Sequence, residues 1–517
     1  MRILAAVTIL SFSFVAMAQG PTASVIGQVK DPSGAIVAGS KVAARNVATN
    51  VTRETATDSA GLFVIRGLQP GTYEVLAETP GFKKAVRSGV VLQVDQEARL
   101  DFLLELGAAT EAVTVTEAAV VTSTETASTG QVIENKKVVE LPLNSREFYG
   151  LALLAPGAYQ PAQNSTLGYR GGFNVAGASE TANNFSVNGI DNNDTGINGP
   201  TFRPSVDSIQ EFKLLTGIFP AEYGRSSGSQ VVVVTRSGTN QFHGGLFEFL
   251  RNQKMDAKNL FTPTGLDPAF KRNQFGGTVG GPIRRNRTFF FYSYEGLRLR
   301  QQISSLGTVP LPAMFSGDFS SLLALSRPIQ LTNPLTRQPI PGNIIPAGLI
   351  SSLGKQIVSY YPSPTFLTPA GSAPASNYNF SETRRETMNE NSLKIDHLIS
   401  SKDSFSANYN RFRDPTFEPQ NSLCGSSTLP LFGCDSSITA QLGAVTETHL
   451  FSPTIVNEFR SGINRLVNPR VQEDNSLSFP GLAKRLLYAA GQQSRIATHH
   501  DHRLLDSGRC DQPALRA

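Results

Sequence analysis

The stretch "SVDSIQEFKLLTGIFPAEYGRSSGSQVVVVTRSGTNQFHGGLFEF", residues 205–249, contains the change of pattern on which the fold assignment turns. Val231, Val232, Val233 and Val234 form an unbroken apolar run between turn residues, the mark of a buried strand. Beyond Thr239 the pattern becomes an alternation, beginning at residues 243–250, in which successive side chains face opposite sides of a sheet. A buried strand that gives way to alternating strands marks a boundary near residue 239.

Composition sets the limits around that boundary. The 517 residues are 40% hydrophobic, enough for several domains, and Gly 45, Pro 31 and short β-branched runs argue for a mainly β chain. A mean hydropathy of −0.14 does not exclude a membrane, because barrel strands alternate lipid-facing with interior residues and average near neutral. The formal charge of +5 is spread without basic runs, so no nucleic-acid partner is expected. Arg2, the apolar run 3–15 and Ala16-Met17-Ala18 read as a secretory signal peptide, residues 1–18, with the mature chain starting at Gln19. Cys424 and Cys434 lie in a polar loop, compatible with a disulfide or with two free thiols, and Cys510 is left over. The six histidines fall in barrel strands or in the tail, without a Ser/His/Asp or H-E-x-x-H constellation. No catalytic residue, cofactor or enzyme activity is expected.

Residues 24–106 alternate apolar and polar positions between Pro/Gly turns, which predicts an antiparallel sandwich. Asp58 and Gly61 make a tight turn before the Phe63 strand, and Pro70-Gly71 makes the next. With "DPSG" at 31–34 and "TDSAGLFVIRGLQPGTYEVLAETPGF" at 57–82, the segment resembles a carboxypeptidase regulatory-like domain, a transthyretin-like sandwich. The resemblance implies a periplasmic spacer, or a carbohydrate-binding module whose ligand is a glycan. Residues 107–135 are Ala/Thr/Glu-rich and read as a linker. Within it Glu111, Ala112, Val113, Thr114, Val115 and Thr116 form a β-prone patch that resembles a TonB box, the segment engaged by a TonB-type energy-transducing protein. An ordinary linker strand fits the same residues.

Residues 136–239 carry the most motifs. A short helix is expected after Asn144 and Ser145, with Phe148, Leu151 and Leu154 on one side. Arg170-Gly171, "FSVNGIDNND" at 185–194, "SIQEFKLLTG" at 208–217 and "AEYGRSSGSQVVVVTRSG" at 221–238 follow in order. Together they resemble the plug of TonB-dependent outer-membrane receptors, in detail the Oar-like subgroup. The resemblance implies an α+β plug, with Arg170, Asn188, Asp191, Asn193 and Asp194 as ligand candidates at its apex. Glu222, Arg225 and Arg236 are either partners of charges on the barrel wall or simply solvated. Asp191, Asn193 and Gly196 match positions 1, 3 and 6 of a calcium loop, but position 12 is Phe202, so the bidentate acid is missing and no metal site is assigned.

After residue 240 seven spanning strands are expected within an incomplete antiparallel transmembrane β-barrel at 240–466: 243–250, 274–283, 288–300, 392–399, 404–413, 438–450 and 455–465. Long and short connections alternate strictly, which puts every short turn on one side. The Phe/Tyr cluster of 288–300 suits an aromatic girdle, and 301–388 reads as a long outer loop. Residues 467–517 lose the alternation; His499, His500, Asp501 and His502 look like metal ligands but lie in a tail that fits an out-of-frame extension better. The expectation is a C-terminally truncated or frameshifted receptor, inactive as it stands, whose full-length form binds a nutrient at outer loops and plug, contacts outer-membrane lipid and imports by TonB-driven plug movement. The alternatives are a surface adhesion or structural protein and a carbohydrate-binding module.

Overall fold

The computed structural model describes residues 22–107, 112–115, 129–143, 146–162, 172–220, 223–224, 226–257, 268–369, 372–420, 429–430, 432–452 and 455–473. They divide into two units. One contains the strands up to residue 304 with 381–424 and 434–471; the other is built on 305–380 with 425–433 and the segment from 472.

Within the first unit the N-terminal sandwich has nine strands: β1 (Ala23–Lys30), β2 (Lys41–Asn46), β3 (Thr52–Ala56), β4 (Leu62–Leu68), β5 (Gly71–Glu78), β6 (Lys84–Leu92), β7 (Glu97–Arg99), β8 (Phe102–Leu103) and β9 (Ala112–Val115). One sheet runs β4-β1-β7, with β8 also on β1, and the other runs β3-β2-β5-β6-β9. Alternate residues of the facing strands, including Val25, Val29, Val42, Phe63, Tyr73 and Val75, close a dry core. The turn expected at Asp58 is built by its Oδ1, which accepts the Ala60 and Leu62 N–H groups at 2.8 and 2.9 Å, while Gly61 takes φ +67°. The sandwich is not wholly antiparallel as expected. β7 and β8 pair parallel to β1, and β9 pairs parallel to β6, because these strands return by crossovers instead of hairpins.

The central sheet contains β10 (Gly130–Glu134), β13 (Asn184–Val187), β14 (Ile190–Asp191), β15 (Ile209–Leu215) and β16 (Gln230–Thr235), in the order β10-β15-β16-β13-β14. A small ribbon, β11 (Ala158–Tyr159) with β12 (Asn174–Val175), lies outside it. Every residue of β16 is buried, as the valine run requires. Helix α1 (Asn135–Glu140) follows β10, and the expected helix near 148 is a 3-10 helix, Phe148–Leu154. Its buried residues are Phe148, Tyr149, Leu151 and Ala152, whereas Leu154 is exposed at its end. The two proposed capping residues lie outside the described residues.

Seven long strands follow: β17 (His243–Asn252), β18 (Phe270–Arg284), β19 (Thr288–Gly307), β20 (Tyr378–Leu398), β21 (Asp403–Glu418), β22 (Cys434–Leu450) and β23 (Val456–Val467), with a three-residue strand, β24 (Arg470–Gln472), beside β22. Among the described residues the sheet path runs from β17 to β23 without closing. Each strand falls where alternation placed it but most are longer, β19 by seven residues and β20 by fourteen at its start, because backbone pairing continues past the length needed to cross a bilayer. Leu246, Val279, Leu393, Tyr409, Val445 and Ile463 are exposed on one face. The other face carries the central sheet and buries Ser293, Glu295, Glu390, Ser392, Lys394 and Asn410. This apolar-outside, polar-inside order is the reverse of a soluble sheet and suits lipid. The aromatic cluster divides accordingly: Phe289 and Phe291 are buried toward the central sheet, while Tyr292 lies on the outer face.

In the second unit, α2 (Pro312–Phe315) and α3 (Ser352–Val358) sit among short turns. Buried Asn343 organises them, its Oδ1 accepting from Leu331 N–H at 2.8 Å and its Nδ2 donating to Ile329 O at 2.6 Å.

Candidate functional site

The polar loop that follows β13 is wired to itself. Asn188 and Gly189 take φ +50° and +77°, a two-residue hairpin in which both positions are left-handed, joining β13 to β14. Asn188 is buried; its Nδ2 donates to Thr235 Oγ1 at 2.9 Å and its Oδ1 accepts Thr235 N–H at 3.0 Å, which fixes the end of β16. Asn193 is also buried and bridges Phe185 N–H, at 3.0 Å, and Asn184 Oδ1, at 2.6 Å. Asp191 Oδ1 accepts Asn193 N–H at 2.9 Å, and Asp194 Oδ1 accepts Gly196 N–H at 2.7 Å. Phe202, at the place of the calcium template's bidentate acid, is fully buried in the core. A Cβ on Gly189 would lie 1.7 Å from Arg460 Nη1 of β23 and would need a left-handed backbone. Gly189→Ala is therefore expected to cost about 1–2 kcal/mol, measured as a lower thermal midpoint in detergent; Asn188→Gly keeps the turn but leaves the buried Thr235 N–H without its acceptor, and is expected to cost about 1–3 kcal/mol.

A buried ionic cluster joins the central domain to the long sheet, and it escaped the sequence reading. Arg146, with φ +58°, pairs with Asp207, and its Nε lies 3.8 Å from Glu295 Oε2 on β19. The guanidinium sits over Phe247 and Phe249 of β17, 4.3 and 4.9 Å from the ring centroids. Beside it Ser205 N–H donates to Glu390 Oε1 of β20 at 2.6 Å, and Ser205 Oγ is 3.0 Å from Ser293 Oγ. Glu295 sits on the polar inward face of its strand, as the pattern allows, and Glu390 lies before the strand predicted at 392–399, so no signal in the sequence set either acid apart. Arg236 meets a ring, not a barrel charge: its guanidinium lies 5.4 Å from the Phe291 centroid, and burial lowers its pKa. On the opposite flank the contact is mixed: Ala440 and Leu442 of β22 belong to the core that contains Phe185, Val187 and Phe212, while on β23 Asn464 Nδ2 donates to Asp191 O at 3.0 Å and Arg460 Nη1 to Gly189 O at 3.2 Å.

The sandwich docks on the central sheet through the turn that leaves β6. Val94 is fully buried against Val232 and Val234 of β16, and its N–H donates to Glu211 of β15. Asp95 accepts from Lys213 Nζ at 3.1 Å and Tyr223 OH at 2.8 Å, and Gln93 Nε2 donates to Glu134 Oε1 of β10 at 2.9 Å. Burial pushes the Glu211 carboxyl up to about 7, against the pull of the Val94 N–H. The sandwich also meets the short turns of the long sheet: Arg53 donates to Ser401 O at 3.3 Å and Ser404 Oγ at 3.1 Å, and Asn50 Nδ2 to Asn286 Oδ1 at 3.1 Å.

Of the remaining sequence candidates, Ala112, Val113, Thr114 and Val115 form β9 on the sandwich edge. Glu111, Thr116, Arg170, Glu222, Arg225, Cys424, the signal segment 1–18 and the histidines of the tail lie outside the described residues. Cys434 is disulfide-bonded. Among the described residues Asp403, Glu447 and His449 bring ligand atoms within 4.8 Å of one another; the 2.5 Å Asp403–His449 contact makes them a brace between β21 and β22.

A family model described as "Outer membrane beta barrel domain" matches residues 234–499, just over half of the chain. The chain belongs to this family. Its outer-membrane β-barrel domain starts within β16, and a carboxypeptidase regulatory-like domain matches residues 24–105, the sandwich. The place of such a chain is the outer membrane. Among curated proteins it is 28% identical over 262 residues to the TonB-dependent transporter Oar of Myxococcus xanthus. That alignment takes in 48% of this chain and 24% of the relative, so the chain spans about a quarter of the relative's length. Solved structures with similarity include the outer-membrane transporter YddB of Escherichia coli, TM-score 0.43 at 12% identity, over 66% of this chain and 39% of that one. Another is the ferric enterobactin receptor PfeA of Pseudomonas aeruginosa, TM-score 0.38 at 13% identity, over 66% and 41%.

Proposed function

We propose that this outer-membrane β-barrel protein is a TonB-dependent receptor in which residues 136–239 act as the plug and 240–466 as barrel wall. The observation that carries the reading is the central sheet held against the polar face of the long strands by the buried Arg146, Asp207, Glu295 and Ser205–Glu390 contacts. A surface adhesin has no use for a folded domain fixed to that face by buried charge. Under this reading Leu246, Val279 and Ile463 meet lipid, a nutrient binds at the outer loops and the plug, and residues 111–116 are the box on which a TonB-type protein pulls. Cys434 would pair with Cys424 to close one outer loop. The 28% identity to a TonB-dependent transporter supports the same reading.

The test is capture of the detergent-solubilised full chain by the periplasmic domain of a TonB-type protein. Capture of the wild type and its loss in Val113→Pro, which removes a strand N–H from the box, is the expected result. Equal capture of both would reject the box, and no capture of the wild type would reject the receptor.

A further inference from the structure

Resting on that reading, we propose that the sandwich edge is the resting dock of the box: β9 is sequestered on β6 until a partner's strand displaces it. The register is explicit, with Lys84, Ala85, Val86 and Arg87 opposite Ala112, Val113, Thr114 and Val115 in a parallel pair, and β9 is the last strand of its sheet. A strand recruited by backbone pairing offers the same N–H and C=O groups to whichever edge it meets, so the sandwich and an incoming partner strand draw on one resource. An edge left bare on β6 would itself be a template for unwanted pairing, and β9 covers it.

The dock is local and weak enough to be released. Among the described residues four pairs hold β9, in the parallel arrangement, which is slightly less stable per residue than the antiparallel one. The chain passes from the Leu106 bridge on Phe82 to Ala112 within a few residues, so the strand is presented to its edge at about millimolar effective concentration. A partner therefore has to compete with a tethered strand, and its capture is selected for strands that pair more firmly than β6 does.

The same strand β6 that receives β9 ends in the Gln93-Val94-Asp95 turn seated on Glu134, Glu211 and Lys213 of the central sheet. Downstream of β9 the chain reaches β10, the first strand of the central sheet, which among the described residues pairs with β15 alone. The sandwich thus holds the box at one edge and the central sheet at the adjoining turn. Stripping β9 removes one hold before tension reaches β10, which can then be peeled from β15 pair by pair. The two steps come in a fixed order.

A full-length chain carrying Ala85→Cys and Val113→Cys in a Cys510→Ser background separates the possibilities. Oxidation should join the two cysteines and lower capture by the TonB-type periplasmic domain about tenfold or more relative to the reduced protein, because the tethered strand can no longer leave. Failure to cross-link while the reduced chain is captured normally would overturn the dock and leave the receptor standing. A cross-link that leaves capture unchanged would overturn sequestration. No capture of either wild type or reduced variant would reject the receptor reading and this inference with it. Hydrogen exchange on the unsubstituted chain gives an independent readout: the amides of 112–115 should exchange more slowly than those of a free peptide, and free-peptide rates would sink the proposal.

Discussion

Glu211→Gln is expected to flatten the pH dependence of the union between sandwich and central sheet. In the docked state the carboxyl is held at about 7, mainly by burial, whereas a solvated glutamate titrates near 4.5. The docked state therefore keeps its proton where the undocked state has lost it. Docking stability is complete below about 4.5, falls as pH rises toward 7 and is flat above it, a loss of about 3 kcal/mol by linkage. Lys213 and Asp95 face the same spot and pair with each other at 3.1 Å. A glutamine retains an oxygen for the Val94 N–H and carries no proton to lose. Thermal unfolding in detergent between pH 4.5 and 8 should show a sloping midpoint for the wild type and a level one for the variant, which should be the more stable at pH 8. Parallel profiles would show that Glu211 is not the responsible group.

Arg146→Ala should be the most damaging single change in the central domain. It leaves Asp207 and Glu295 facing each other without the cation whose side chain is only 12% exposed, and breaking a buried pair of this kind costs about 3–5 kcal/mol. Arg146→Lys should recover part of the loss, since the charge returns without the planar contact to Phe247 and Phe249. The backbone provides a second control. Because position 146 has φ +58°, Arg146→Gly removes the same charge without the left-handed strain that alanine must bear, and should be milder by about 1 kcal/mol. Adding Glu295→Gln to Arg146→Ala should restore stability by removing the orphaned anion. If alanine and glycine variants melt together with the wild type, the cluster does not hold the domain.

The seven strands were legible because each alternates and each turn carries its punctuation; their ends were not, because pairing with a neighbour extends a strand beyond what its own pattern shows. β20 starts fourteen residues before the predicted position, opposite strand partners far away in sequence. Asn188-Gly189 carries the Asn-Gly signature of a two-residue hairpin, since few residues accept two left-handed positions in succession. What Asn188 does with its amide could not be read, since Thr235 is distant in sequence. Alternation also left open which face meets lipid: on β22 the alanines and Leu442 look outward-facing by hydropathy, yet they pack on the central core. Arg146 was hidden for a different reason. A lone arginine in "NSREF" has no signature, and its importance arises only where the fold brings Asp207 and Glu295 to it.

The two flanks of the central domain are held through different kinds of atom. Arg146 grips through side chains, so the loss of Asp207 or Glu295 is felt there at once. On the β23 flank Asn464 and Arg460 bind the main-chain carbonyls of Asp191 and Gly189, groups that every residue carries. The side chain at position 191 can therefore be exchanged without loosening that grip, and the hairpin is free to vary in chemistry where the arginine flank is not.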